Sequence, residues 1–369
     1  MGDEAISNKK RENGLDLLRI ISAVAVVLIH VNAFYFVDHV KNNDSQNSLI
    51  YIVESILNIV TRFSVPCFVM ISGAFNLNND KNSDWRSFYC KSFYKTFLPV
   101  IFVAVLLMIF DIACHLLIGG TSLIKIFVGI AVGNFYNLWF MYMLLGLYLI
   151  TPFVIKLKQN ISNNEFKMIS IVLCIWACIS QATSSQKTAY SIGIVFAYLG
   201  YYMLGSVLMT EKSKGKILKS YIYIILIITL ILTFVVRRMG ITYYVSNAYT
   251  NFFSPTIMVA SICVFKLFLH LEIQRDCSKI ASHTFFVYLF HTVIYTSIYA
   301  VLNRFCSEWI SINEIIRIIV VFFLTIVLSY IASVIYDRIL LLLSNIGMKD
   351  KWYNMKIWKK ENINGTDKS

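Results

Sequence analysis

The sequence predicts an all-α polytopic integral membrane protein with about ten transmembrane helices and both termini in the cytoplasm. Three observations predict it. The chain is 58% hydrophobic and 14% charged over 369 residues, with a mean hydropathy of +0.67, which is too apolar for a domain with a watery surface. Apolar runs close to the roughly 20 residues that a bilayer crossing requires recur along its whole length. The basic residues alternate between loops: with the N-terminus inside, 23 Lys and Arg fall in inner segments and 6 in outer ones, the pattern of the positive-inside rule. The formal charge of +13 therefore reads as membrane topology, and no nucleic-acid partner is expected.

The ten runs lie at 15–36, 49–73, 92–117, 137–155, 167–184, 190–209, 220–238, 250–271, 282–302 and 311–344. The first, GLDLLRIISAVAVVLIHVNAFYF from Gly14 to Phe36, is too long for a cleavable signal peptide and lacks a small-x-small exit, so it reads as an uncleaved span. The second carries Glu54 and Arg62, the third has Lys91 and Lys95 on one face at its start, and the fourth is NLWFMYMLLGLYLITP. Cys174 and Cys178 share a face of the fifth, whereas the eight cysteines as a set show no metal spacing and read as packing residues; no metal is expected. The sixth and seventh rest on length and apolarity alone. Lys266 lies in the eighth, His291 about nine residues into the ninth, and the tenth runs to the polar tail. Gly119–Phe135 is semi-apolar and reads as an interfacial segment on the outer surface. Residues 1–348 thus form one transmembrane domain, and 349–369, which alternate basic and aromatic residues, form a basic cytoplasmic tail, solvated or resting on the anionic inner leaflet. Pro66, Pro99, Pro152 and Pro255 show no matched pattern between two halves, which counts against a carrier.

Ionisable groups inside spans cost about 2.5–3.5 kcal/mol each, so each is a candidate for function. Arg19 and His30 are 11 residues apart, three turns of one helix face, separated by about 16 Å along the axis. Arg19 is expected at the inner end and His30 in the outer half. Glu54 enters the second span about 8 Å below the outer boundary and His30 lies about 9 Å below it, a depth at which the carboxylate can orient the imidazole as a base; the bland reading is a polar pair locking two helices. At the inner end, Lys91, Lys95 and Lys266 join Arg19, with Asp16 at i−3 neutralising it in part, as a cluster for a phosphate-bearing ligand or for lipid phosphates by snorkelling. Arg62, deep in the second span, needs a partner that the sequence does not name, and His291 alone reads more readily as a satisfied packing histidine.

At these residues the sequence resembles the membrane acyltransferase-3 family, and within it the surface-polysaccharide O-acetyltransferase branch. Asp16, Arg19 and His30 match its opening Asp-x-x-Arg and histidine; VPCFVMISG, with Ser72 and Gly73 at its end, matches its Val-Pro-x-Phe and Ser-Gly motif; NLWFMYMLLGLYLITP fits its His-Leu-Trp-Phe segment; TFFVYLFH, Thr284 to His291, fits its Tyr-x-x-His segment. The chain departs from the pattern twice. Lys91 and Lys95 stand where arginines are usual and cannot make the bidentate phosphate contacts of arginine. Asn137 stands where the family has histidine and cannot act as a base.

The resemblance implies a multi-pass enzyme of a bacterial plasma membrane with no permanently bound cofactor. It implies that an acyl-CoA, acetyl-CoA first, enters from the cytoplasm with its phosphates near Arg19, Lys91, Lys95 and Lys266. His30, oriented by Glu54, would deprotonate a sugar hydroxyl of a cell-surface polysaccharide or lipid-linked glycan, by direct attack or through a covalent acyl-histidine relay. Trp139 and Tyr288 would line the sugar site, with Asp16, Arg62, Ser72, Asn137 and His291 in support. Two other readings stand beside it: a glycan or lipid-linked oligosaccharide exporter, and a membrane sensor module like the membrane half of some racemases. Membrane lipids are the remaining expected partners; self-association and the acceptor sugar are not set by the sequence.

Overall fold

The computed structural model describes residues 13–41, 49–118, 129, 135–183, 193–212, 219–238, 251–305 and 313–343. The interfacial segment expected at Gly119–Phe135 falls almost entirely, and the tail at 349–369 entirely, outside them. Among the described residues the chain is helical without strands: α1 (Asn13–Lys41), α2 (Leu49–Thr61), α3 (Ser64–Leu77), α4 (Trp85–Ser92), α5 (Leu98–Ile118), α6 (Trp139–Asn160), α7 (Asn163–Thr183), α8 (Gly193–Glu211), α9 (Lys219–Arg238), α10 (Pro255–Leu269), α11 (Ser278–Phe305) and α12 (Glu314–Leu343). Among the described residues, eight segments are long and apolar enough to cross a bilayer: α1, the pair α2–α3, α4 with α5, α6, α8, α9, α11 and α12. The other two expected spans are α7, of 21 residues, and α10, of 15. Ten apolar segments are thus helical, and the chain is a multi-pass membrane protein.

The departures from the expected spans have local causes. The run 49–73 is two helices, because Pro66 has no amide hydrogen to give the carbonyl of Arg62, four residues back, and its ring crowds that turn. Pro99 acts likewise on Lys95, and there the chain widens into a π turn at Phe93–Phe97 before α5. α6 starts only at Trp139, because Tyr136 and Asn137 are left-handed, with φ of 46° and 59°. α7 starts early, at Asn163, behind a reciprocal cap in which the Ser162 amide donates to Glu165 and the Glu165 amide to Ser162 Oγ. Those bonds hold the exposed Glu165 carboxyl below its ordinary pKa. α10 starts only at Pro255, behind Ser254, whose hydroxyl accepts from the Ile257 amide at 3.3 Å.

α1 is the hub, packing on α2, α3, α10, α11 and α12. Its first residues meet the end of α10: a Cβ on Gly14 would stand 2.1 Å from the Phe268 carbonyl oxygen, and Asn13 Nδ2 donates to Ile273 O at 3.1 Å. The closest helix crossing is that of α3 on α8, where Gly73 and Gly205 face the partner backbone; a Cβ on either would lie 1.8 or 2.0 Å from the carbonyl of Tyr202 or Met70. α5, α7, α9 and α12 turn rows of large apolar side chains outward, the surface expected towards lipid.

Candidate active site

The His30 end of α1 is flanked by α2, the turn before α6, α11 and α12. The left-handed pair Tyr136–Asn137 makes that turn, a conformation asparagine tolerates better than most residues. It is pinned on two sides: Tyr136 Oη donates to Asp111 Oδ1 on α5 at 2.5 Å, and Tyr288 Oη on α11 donates to the Asn137 carbonyl at 2.9 Å. So held, Asn137 Nδ2 lies 3.4 Å from His30 Nδ1. The second neighbour is His291, its ring centroid 5.1 Å from that of His30. His291 is fully buried, and its Nδ1 lies 2.5 Å from the Tyr288 carbonyl, so Nδ1 carries the hydrogen and Nε2 accepts from Thr292 Oγ1 at 3.2 Å. It is not an isolated packing histidine.

Arg62, at the break between α2 and α3, is close enough to His30 for the two charges to be felt. Its Nε donates to Asn58 Oδ1 at 2.9 Å, and its guanidinium lies over the Phe252 ring, 5.2 Å from the centroid. The same Asn58 oxygen accepts from Arg237 Nη1 at 3.4 Å. Arg237, at the end of the seventh expected span, belongs to the last turn of α9, where the Tyr51 hydroxyl bonds it and the charge of Glu54 attracts it. Glu54 is fully buried, and Asn32 Nδ2 donates to its backbone carbonyl at 3.0 Å. Glu54 is thus placed beside Arg237, while the groups on His30 are Asn137, His291 and, through space, Arg62. Trp139 continues the Phe252 surface at 6.3 Å and also contacts Tyr198 at 6.2 Å; Tyr288 stacks obliquely on Phe140 at 5.0 Å.

The Arg19 end is built differently. Its guanidinium is 3.8 Å from Asp16 and 5.6 Å from the centre of Phe75, and its side chain keeps 31% exposure. Because Gly14 is level with Phe268 and the two helices run in opposite directions, Lys266 falls within a turn of Arg19 in height. Lys91 and Lys95 are exposed on α4 and the π turn. Between the two ends of α1 the same face is closed, with Ser22 and Val26 buried. Ser72 is half-buried beside Gly73 at the α3–α8 crossing, away from the groups that touch His30.

Sequence reasoning missed Asn58, Arg237 and Phe252. Asn58 stood in view as the i−4 neighbour of Arg62; nothing in the sequence pointed to the other two.

The acyltransferase domain family matches residues 12–334. A probable poly-beta-1,6-N-acetyl-D-glucosamine export protein of Staphylococcus aureus strain MRSA252 is 22% identical over 316 residues, covering 80% of this chain and 86% of the relative. Its counterpart in strain NCTC 8325 is 21% identical with the same coverage. An amino-acid racemase of Enterococcus faecalis is 33% identical over 145 residues, 36% of this chain and 18% of the racemase. No solved structure matches the chain. A family match spanning α1 to α12, over a helical body that assembles His30, Asn137, Tyr288 and His291, places this multi-pass membrane protein in the acyltransferase-3 family.

Proposed function

We propose that the protein transfers an acyl group, acetyl first, from cytoplasmic acyl-CoA to a hydroxyl of a cell-surface or lipid-linked polysaccharide, with His30 as the base. The observation that carries this reading is the fastening of His30 against Asn137 and His291 three turns along the same helix from Arg19. With the Asn137 amide oxygen towards Nδ1, the ring donates there and Nε2 is bare to take the hydroxyl proton. With the amide nitrogen towards it, the proton sits on Nε2. A half-turn of the amide separates the two, and the first is the reactive one. The hydroxyl oxygen then attacks the thioester carbonyl, the C–S bond breaks, and the imidazolium returns its proton to the leaving CoA thiolate. Asn137 replaces the family's histidine as an orienting group, and Glu54 acts at one remove through Arg237. Arg19, Lys266, Lys91 and Lys95 receive the CoA phosphates, and the pantetheine arm follows α1, which requires the closed face at Ser22 and Val26 to part. Trp139 and Tyr288 border the sugar.

The test is release of free CoA by the purified protein in lipid nanodiscs with acetyl-CoA and a β-1,6-linked N-acetylglucosamine oligomer, the glycan in the names of the staphylococcal relatives. Wild type is expected to release CoA and add one acetyl mass to the glycan; His30→Ala is expected to do neither. Trapping an acyl-enzyme without acceptor separates a histidine relay from direct attack. The word "export" in those names favours a second reading, in which the same polar interior conducts the glycan. If wild type and His30→Ala both move glycan into vesicles and neither consumes acetyl-CoA, the enzyme reading is lost and the exporter stands.

A further inference from the structure

We propose that Arg62 and Arg237 form a clamp for an anionic group of the acceptor, a phosphate or a carboxylate, held beside the reactive hydroxyl. The proposal rests on the acyl-transfer reading for what happens next to the clamp, and on geometry for the clamp itself.

Two half-buried guanidiniums from different helices converge on one neutral, buried oxygen, Asn58 Oδ1. Like charges brought together away from water repel, and a single amide dipole does not offset them. The charge of Glu54 reaches Arg237 and offsets part of that repulsion. Arg62 is different: its contacts are Asn58, the Phe252 ring and the neighbourhood of Tyr198 and His30, and no carboxylate pairs with it among the described residues. The backbone beside it supplies a second, independent sign. α2 stops at Thr61 and α3 starts at Ser64, so the amide end of a helix opens at Arg62, with no side-chain cap. The Ser64 hydroxyl there is fully buried and has no hydrogen-bond partner. A broken helix inside a membrane protein is stable only where something meets the freed groups, and half-helix amide ends in that position suit anions. An oxyanion bridging the guanidiniums would pair with Arg62 at the amide end of α3.

The position fits an acceptor. Arg62 is within electrostatic reach of His30, and the Phe252–Trp139 surface beside it suits the face of a sugar ring. An acceptor fixed by its charge and stacked by its ring would present a neighbouring hydroxyl to the imidazole. Two sources supply such a charge: the pyrophosphate of a lipid-linked glycan, or the carboxylate of an acidic sugar.

The test does not require turnover. Thermal unfolding of the full chain in nanodiscs is followed with inorganic pyrophosphate, with glucuronate and with neutral N-acetylglucosamine as probes. At least one anion is expected to raise the wild-type melting temperature, and its identity separates the two sources. Arg62→Gln and Arg237→Gln are each expected to weaken that binding at least tenfold. Arg62→Lys keeps the charge but not the fork; it is expected to fall between and stands in if the glutamine variant does not fold. Failure of both anions to stabilise wild type, or binding by the two glutamine variants equal to wild type, would overturn the clamp. A clamp that binds anions in a protein that never consumes acetyl-CoA would leave the clamp standing and remove the acyl-transfer reading.

Discussion

The two ends of α1 are polar, and they are polar in opposite ways. At the His30 end nearly every group is fastened: His291 by its own turn and Thr292, Asn137 by a strained turn tied to α5 and α11, Arg62 by Asn58 and Phe252. At the Arg19 end the cations stay partly or fully in the open. Proton transfer needs atoms held within a few tenths of an ångström, so a site that performs it repays rigid support from the next layer of residues. Capture of a multiply charged ligand needs field rather than fit, and mobile lysines supply it. The contrast argues for a chemical end and a collecting end on one helix.

The sharpest way to break that contrast is His30→Ala. On the proposed reading kcat falls by about 10³-fold, because a positioned general base contributes roughly 10²–10⁴. Its melting temperature should stay near that of wild type. A loss of less than about tenfold in CoA release would mean that the chemical end has been misplaced. The next test removes support instead of chemistry. Asn137→Leu and His291→Ala should each lower kcat by about 10- to 100-fold with KM for the acceptor little changed, since they orient the ring and do not hold substrate. Asn137→His should stay within a few-fold of wild type, because histidine also tolerates left-handed backbone and supplies a partner for the His30 ring. If Asn137→Leu is silent, the 3.4 Å contact has no role in the reaction.

Much of this was readable from sequence where membrane length or helical period decides it. Ten apolar runs became helices because each must satisfy its own backbone away from water, and Arg19 and His30 share a face because helical geometry leaves no choice. What escaped depended on the third dimension. Pro66 was visible, yet an unbroken apolar run concealed that its missing amide would split the second span at Arg62. The sequence reads Asn137 as the loss of a base and as a supporting residue of unstated contact, since nothing local announces a left-handed turn that points an amide at another helix. Depth alone pairs Glu54 with His30, but depth does not fix the angle around a helix, and the charges felt at His30 are those of His291 and Arg62, while that of Glu54 is felt at Arg237. Arg237 drew no notice because a basic residue at the end of a span satisfies the topology rule whichever way it turns.

The collecting end is tested by milder changes. Arg19→Gln is expected to raise KM for acetyl-CoA about tenfold, close to the 1.4 kcal/mol that a tenfold change represents, with kcat retained. A fall in kcat with KM unchanged would move Arg19 from donor capture into structural support for α1.

The smallest effects belong to Lys91 and Lys95, and they separate field from contact most cleanly. Both are exposed, so each contributes through water and its influence is confined to about a Debye length, roughly 10 Å at 0.1 M salt and nearer 3 Å at 1 M. Lys91→Gln or Lys95→Gln should raise KM for acetyl-CoA only two- to threefold at low salt. As ionic strength rises the wild-type KM should climb towards that of the variants, because ions screen an exposed lysine as effectively as mutation removes it. Arg19, partly enclosed by Asp16 and Phe75, should keep most of its effect at the same salt. If the lysine variants instead differ from wild type equally at low and high salt, the lysines touch the donor directly, and the collecting end is a fitted pocket like the one around His30.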